Sequence, residues 1–260
     1  MGKTIVVAWD FSQYSEFALN YAIYFANHFR AGIKLAHIAK NDKELAETEQ
    51  KLQIKIRELA KIFNGETGYQ IKTGNLYTEI GRIAAENFAI LVIMGTPGAN
   101  GFQKITGSRA LRVITGNEIP FLVIHRAMKQ QLKRVLFLVG DNKETLQKLP
   151  QAKFLSDNFS GLTFEVCYLD VFALHPNISV VTEFFDKQKI KYEKKVLKGK
   201  NLHEAATEYL KNGAVCNMAI TMTSKNPSIA DRFLGIDEEK IIFNDAKIPV
   251  MCINLKQEIL

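Results

Sequence analysis

The chain has 260 residues, 47% of them hydrophobic and 23% charged, with a formal net charge of +7. This is the composition of an ordinary globular protein and not of a fibrous, disordered or disulfide-scaffold chain. There is enough apolar material for one large core or two ordinary ones. Apolar runs such as Ile5–Trp9 and Ala89–Met94 are strand-sized, far short of the roughly 20 residues a membrane helix needs.

The opening MGKTIVVAWD enters a strand at once and meets a charge at Asp10. It offers no secretory h-region or cleavage site, so a cytoplasmic location is expected. Cys167, Cys216 and Cys252 lie far apart in apolar, strand-like surroundings, which points to buried, reduced thiols. The five histidines show no metal-ligand spacing. The excess positive charge is densest at Lys187–Lys200, where Ile190, Tyr192, Val196 and Leu197 give a strand-like pattern. A solvated edge strand accounts for it, and no nucleic-acid-binding motif accompanies it.

Strand and helix signals alternate through the first half. Thr4–Trp9 reads as a buried strand, and Ser12–Arg30 as a helix with apolar residues at Phe17, Tyr21, Tyr24, Phe25 and Phe29, capped near Ser12 and Glu16. A strand from Gly32, a charged helix over Asp42–Phe63, a strand from Tyr69 and a helix from Asn75 follow. Ala89–Gly95 is apolar throughout, as a strand buried on both faces must be. A glycine-rich loop, a helix from Ser108 and a fifth strand from Pro120 complete the half. Such alternation predicts a parallel, doubly wound sheet.

The second half repeats these features in order, about 130 residues on. Lys133–Asn142 echoes Lys3–Phe11, with Asp141 set against Asp10. Leu162–Leu169 is matched to the strand starting at Ile33, Gly199–Leu210 to Gly74–Ala84, and Ile248–Asn254 to Ile119–His125. Ordered matches of this kind indicate an internal duplication. The expected domains are 1–127 and 133–260, each a five-stranded parallel sheet.

The chemistry-bearing segment is Met94–Ser108. It leaves a buried strand, supplies Gly95, Gly98, Gly101 and Gly107, and ends on Ser108 at a helix start. Glycines let a backbone approach an anion, and the free amides of a helix N-terminus point at it. The position beyond a strand's carboxyl end is where open α/β sheets bind ligands.

Gly95, Gly98, Gly107 and Ser108 resemble the signature of the universal stress protein family, G-x-x-G followed after a spacer by G-S or G-T. Asp10 at the end of the first strand, Ala36-His37-Ile38 in the second and Gly74-Asn75 before the third helix agree with it. The resemblance implies two tandem doubly wound domains of the adenine-nucleotide α-hydrolase-like, Rossmann-like fold, arranged as an internal pseudo-dimer through the fifth strands or as a homodimer. It implies ATP as ligand, with Mg or Mn as the accompanying ion. Asp10 would contact the nucleoside or metal, and the Ile38 backbone the adenine edge. Met94 and Gly95 would line the ribose and phosphates, and Gly98, Gly107 and Ser108 would cradle the phosphate chain. The chain departs from the pattern in a spacer of eight residues, one fewer than usual, in Pro97, which has no N–H, and in Trp9 before Asp10.

The corresponding stretch of the second half, Met222–Asp237, keeps only Gly235 and adds Asp237, Glu238 and Glu239. It reads as a domain without a phosphate cradle. No Walker loop, no G-x-G-x-x-G after the first strand and no nucleophilic triad is present. Asp10 and Glu79 could be read as a general acid–base pair, but nothing in their spacing requires them to meet. The expected function is ATP binding in stress response or signalling, with at most slow hydrolysis; a protein-interaction module of the same fold is the alternative.

Overall fold

The computed structural model describes residues 2–97, 114, 118–223 and 237–254. Its contacts divide the chain into two compact units, with the boundary between Met128 and Lys129.

In the first unit, strand β1 (Thr4–Ala8) leads to helix α1 (Gln13–Phe29), β2 (Gly32–Ala39), α2 (Asp42–Ile62) and β3 (Thr67–Thr73). Helix α3 (Leu76–Glu86), β4 (Ala89–Gly95) and β5 (Phe121–Ile124) follow. Ser12 caps α1 by accepting a hydrogen bond from Ser15 N, and Arg30 in the left-handed region closes it. The buried stripe of α1 runs through Ser15, Ala18, Leu19, Ala22, Phe25 and Phe29. Tyr24 lies at its edge, half-buried, its ring set against that of Phe25. Helix α2 buries only Thr48, Leu52 and Leu59, which is why its sequence is so strongly charged.

All pairings are parallel, in the order β3-β2-β1-β4-β5. The sheet places β1 between β2 and β4, and α1 rests on β1 and β4. The chain therefore steps outward from β1 to β3 and returns to β4, making a switch point between β1 and β4.

The second unit repeats the plan. Strand β6 (Arg134–Leu138) is followed by a 3-10 helix (Lys143–Lys148), α4 (Leu149–Asn158) and β7 (Thr163–Leu169). Helix α5 (Pro176–Lys187), β8 (Lys191–Leu197), α6 (Leu202–Lys211), β9 (Met218–Thr223), α7 (Asp237–Ile242) and β10 (Val250–Asn254) complete it. Its parallel order is β8-β7-β6-β9-β10, the same as in the first unit.

The ladders fix the correspondence between the halves. Gly32 N donates to Lys3 O, and Thr163 N to Lys133 O; Trp9 N donates to Ala36 O, and Val139 N to Cys167 O. Two sequence matches shift as a result. Ile33 corresponds to Phe164 and not to Leu162, because an alternating strand pattern slides by two residues without changing face. Asp10 corresponds to Gly140, so Asp141 lies one residue beyond the place it was matched to.

The segment equivalent to α1 buries Thr145, Lys148, Leu149, Ala152, Leu155 and Phe159, the same stripe moved on by one repeat. It starts as a 3-10 helix and becomes α-helical only at Leu149. Pro150, standing where Asn20 stands in α1, has no N–H to give the preceding turn. Strand β8 pairs only with β7 among the described residues and exposes its lysines as expected, but Val196 is exposed with them. Cys167, Cys216 and Cys252 are buried thiols outside any disulfide.

Candidate functional site

Four of the residues singled out in the sequence come together at the carboxyl ends of three neighbouring strands of the first unit. Asp10 is exposed just past β1, and its Oδ1 accepts a hydrogen bond from Ser12 N at 3.0 Å, which ties the strand exit to the cap of α1. Ile38 is half-buried near the end of β2, on the stretch that continues past the last rung with β1, Ala8 against Ala36. Met94 and Gly95 are half-buried and end β4, with Met94 in register with Ala8 on one side and Val123 on the other. Gly98, Gly107 and Ser108 lie outside the described residues.

Gly95 has a packing reason to be glycine. A Cβ there would sit 1.9 Å from Tyr14 O, in the first turn of α1. Gly74, which follows β3, has φ of +132°, a conformation suited to glycine. Glu79 is buried against it and pairs with Arg82 Nη1 at 3.1 Å. That carboxylate is engaged, while Asp10 faces solvent.

An aromatic corner stands beside Asp10 and Ile38. Trp9 and His37 are 3% and 7% exposed. His37 Nδ1 lies 2.7 Å from Trp9 O; a carbonyl only accepts, so Nδ1–H is the donor. Phe11, with φ of +61°, sets its ring edge-on to both, with centroids 5.9 Å from Trp9 and 5.4 Å from His37. Lys55 Nζ lies 5.2 Å over the Trp9 ring while pairing with Glu16 at 2.6 Å. Two polar atoms in this corner, Trp9 Nε1 and His37 Nε2, are buried without a hydrogen-bond partner. Sequence reasoning named His37 only as part of a family mark. The signal that could have singled it out is register: in a parallel pair starting at Thr4 and Gly32, Trp9 falls opposite His37.

Among the described residues, no three His, Cys, Asp or Glu side chains gather as a metal site. No helix among them is long and apolar enough to cross a membrane.

The universal stress protein family model matches residues 1–125, the first unit. The first unit belongs to the universal stress protein family. A universal stress protein from Archaeoglobus fulgidus DSM 4304 has a similar fold, with a TM-score of 0.79 at 18% identity over 96% of this chain and 98% of that one. A functionally unknown protein from Pseudomonas aeruginosa PAO1 is similar over 97% of this chain and 92% of its own, with a TM-score of 0.66 at 14% identity. No curated protein sequence matches the chain.

The second unit, which the family model does not match, has a different rim. Gly140 replaces Asp10, Val139 replaces Trp9 and Tyr168 replaces His37. Asn177 Nδ2 donates to Gly140 O at 2.9 Å and to Asn142 O at 3.0 Å, so helix α5 braces the loop after β6. Leu138 O accepts from Thr145 Oγ1 at 3.2 Å and also from Lys148 Nζ. Met222, half-buried, takes the place of Gly95. The turn that would press on it is the 3-10 helix and not an α-helical first turn. The stretch from Ser224 to Ile236 lies outside the described residues.

Proposed function

We propose that the chain binds one adenine nucleotide, ATP, at the carboxyl ends of β1, β2 and β4 in its first unit. It serves in stress response or signalling without rapid turnover. The observation that carries this reading is the convergence of Asp10, Ile38 and Met94 at a switch point, directly before the stretch of sequence with Gly98, Gly107 and Ser108. Asp10 is placed to meet ribose hydroxyls or a divalent ion carried by the phosphates. Ile38 offers backbone groups beyond the β1 ladder to the base edge. Gly98, Gly107 and Ser108 supply the phosphate cradle. Slow turnover is favoured by the commitment of Glu79 to Arg82, which keeps that carboxylate from serving as a base beside Asp10. The second unit is a structural half, its rim closed by Asn177 and Lys148.

Calorimetric titration with ATP is expected to give a stoichiometry near one per chain. Gly107→Val puts a branched side chain where the backbone must reach the phosphates and is expected to abolish binding. Ser108→Ala removes a cap or one hydroxyl contact, about 1 kcal/mol, and weakens binding by roughly tenfold or less. A folded Gly107→Val variant that binds as well as wild type would overturn the phosphate-cradle assignment.

A further inference from the structure

A cavity opens at the amino ends of β1, β2 and β3, the edge of the first unit's sheet away from Asp10, Ile38 and Met94. Its volume is about 240 Å³, and Thr4, Gly32, Lys34, Gly68 and Phe88 are among its lining residues. That is below the roughly 300–1,000 Å³ of drug-sized sites, so it suits a small occupant. Thr4 is in register with Gly32 and Lys34 with Gly68, so these four residues share one face of the sheet. The Lys34 stem lies over Gly68, its Cε 3.5 Å from where a Cβ would stand. Lys34 is half-buried, and among the described residues its amine has no hydrogen bond or ion pair. Two carboxylates also line the cavity. Glu66 is exposed, and Glu86 accepts from Lys72 Nζ at 2.5 Å and from Gln70 Nε2 at 2.8 Å.

In the second unit the same row is closed by the protein's own side chains. The ladders set Arg134 against Thr4, Thr163 against Gly32, Glu165 against Lys34 and Glu193 against Gly68. Arg134 Nε donates to Glu165 Oε1 at 2.8 Å and its Nη2 to Glu193, so each charge in that row meets its opposite. The first unit has small residues at the outer positions and a positive charge at the central one, with no side chain of its own to meet it. The end of the neighbouring helix differs as well. Two residues past α6 stands Gly213, with φ of +92°; two residues past α3 stands Phe88, with φ of +49°. This conformation suits glycine and strains an aromatic residue. Ending the helix does not call for phenylalanine, as Gly213 demonstrates, yet Phe88 lines the cavity and is 63% exposed.

We propose that this cavity binds a small aromatic carboxylate. The Lys34 ammonium meets the carboxylate, and the ring occupies the space left over Gly32 and Gly68, against Phe88. An ion pair at a half-buried amine is screened less by water than one at the open surface, which favours binding there. One lysine matches one negative charge, so a carboxylate fits better than a phosphate dianion. Aromatic rings attract each other offset or edge-to-face, which gives exposed Phe88 a ligand to hold. The site shares no residue with the proposed nucleotide site and does not depend on it.

Fluorine NMR titration of the full chain with 4-fluorobenzoate, and with the neutral 4-fluorobenzamide of nearly the same shape, tests this. The benzoate is expected to bind about tenfold more tightly than the benzamide. Lys34→Met keeps the apolar stem and removes the charge, and is expected to weaken the benzoate to the level of the benzamide. Gly68→Glu copies Glu193 and gives Lys34 a carboxylate within the chain. It is expected to abolish benzoate binding and to leave the melting temperature unchanged or higher. Saturating ATP is expected to leave benzoate binding as it was. No benzoate binding, equal affinity for the two probes, binding that survives Gly68→Glu, or displacement by ATP overturns the inference, and none of these counts against the nucleotide reading. If Gly68→Glu does not fold, Lys34→Met decides alone, and unchanged benzoate affinity there overturns the inference.

Discussion

Lys148 stands in the second unit where Ala18 stands in the first, and its amine is buried in the core at 2% exposure. Its Nζ donates to Leu138 O and lies 4.8 Å from the centroid of the Phe137 ring. Among the described residues no carboxylate pairs with it. Arg134 at the start of β6 is held by Glu165 and Glu193, β9 carries no titratable residue, and Glu183 and Asp186 on α5 are exposed.

Burial pushes the Lys148 amine from its ordinary 10.5 down to about 7. Below pH 7 the folded state carries a buried charge, and the penalty is present in full. As pH rises from 7 towards 10.5 the folded protein is neutral there while the unfolded chain still holds the proton, so stability climbs with pH. Lys148→Met is expected to stabilise the second unit at pH 7 by a few kcal/mol, since each pK unit is worth about 1.4 kcal/mol. It should also flatten the slope above pH 7. Denaturant unfolding of both proteins at pH 6, 7, 8 and 9 checks this.

Gly95→Ala forces a methyl carbon towards Tyr14 O, 1.9 Å away in the present packing. Helix α1 must shift from β4, and overpacking of this kind costs about 1–3 kcal/mol. The expected outcome is a lower melting temperature together with weaker nucleotide binding. Thermal unfolding by circular dichroism beside an ATP titration measures both. Retained stability with lost binding would assign Gly95 to ligand contact alone.

Arg134 bridges a buried carboxylate, Glu165 at 2.8 Å, and an exposed one, Glu193. Burial pushes the Glu165 carboxyl up, but hydrogen bonds from Tyr209, Cys216 and Arg134 overcome it and hold the group below its ordinary value. Its contribution is therefore present at neutral pH and is lost as pH falls below the usual carboxylate range. Arg134→Met, which leaves Glu165 buried without its cation, is expected to cost about 1–3 kcal/mol. Glu193→Gln, on the exposed side, should cost under about 1 kcal/mol. Urea midpoints at pH 7 and pH 4 separate the two. A Glu193→Gln effect as large as that of Arg134→Met would place the weight of the network on the surface pair.

Much of the fold could be read from the residues. Apolar runs such as Ala89–Gly95, bounded by helical spacing, mark parallel strands because only strands buried on both faces are apolar throughout. The strand order came from the ladders, and Asp10, Ile38 and Met94 were grouped only through the resemblance to the universal stress protein signature. Register was harder to read. Period-two patterning let Leu162 stand for Phe164, and Asp141 was matched by identity when geometry put Gly140 there. Lys148 gave no local sign, because a lysine in a polar stretch reads as solvated until the repeat sets it against Ala18. The pairing of Trp9 O with His37 Nδ1 depends on cross-strand position, which composition and spacing do not carry.

Trp9 is the chain's sole tryptophan. Its place at the end of β1 makes the protein its own optical probe, with tryptophan emission arising from one half of the duplication only. Peptide-bond dichroism registers the loss of both halves, whereas indole emission follows the first. Differing midpoints from the two signals would reveal that the duplicated halves melt independently. A shift of the emission midpoint alone would trace a ligand or substitution to the unit that holds Asp10.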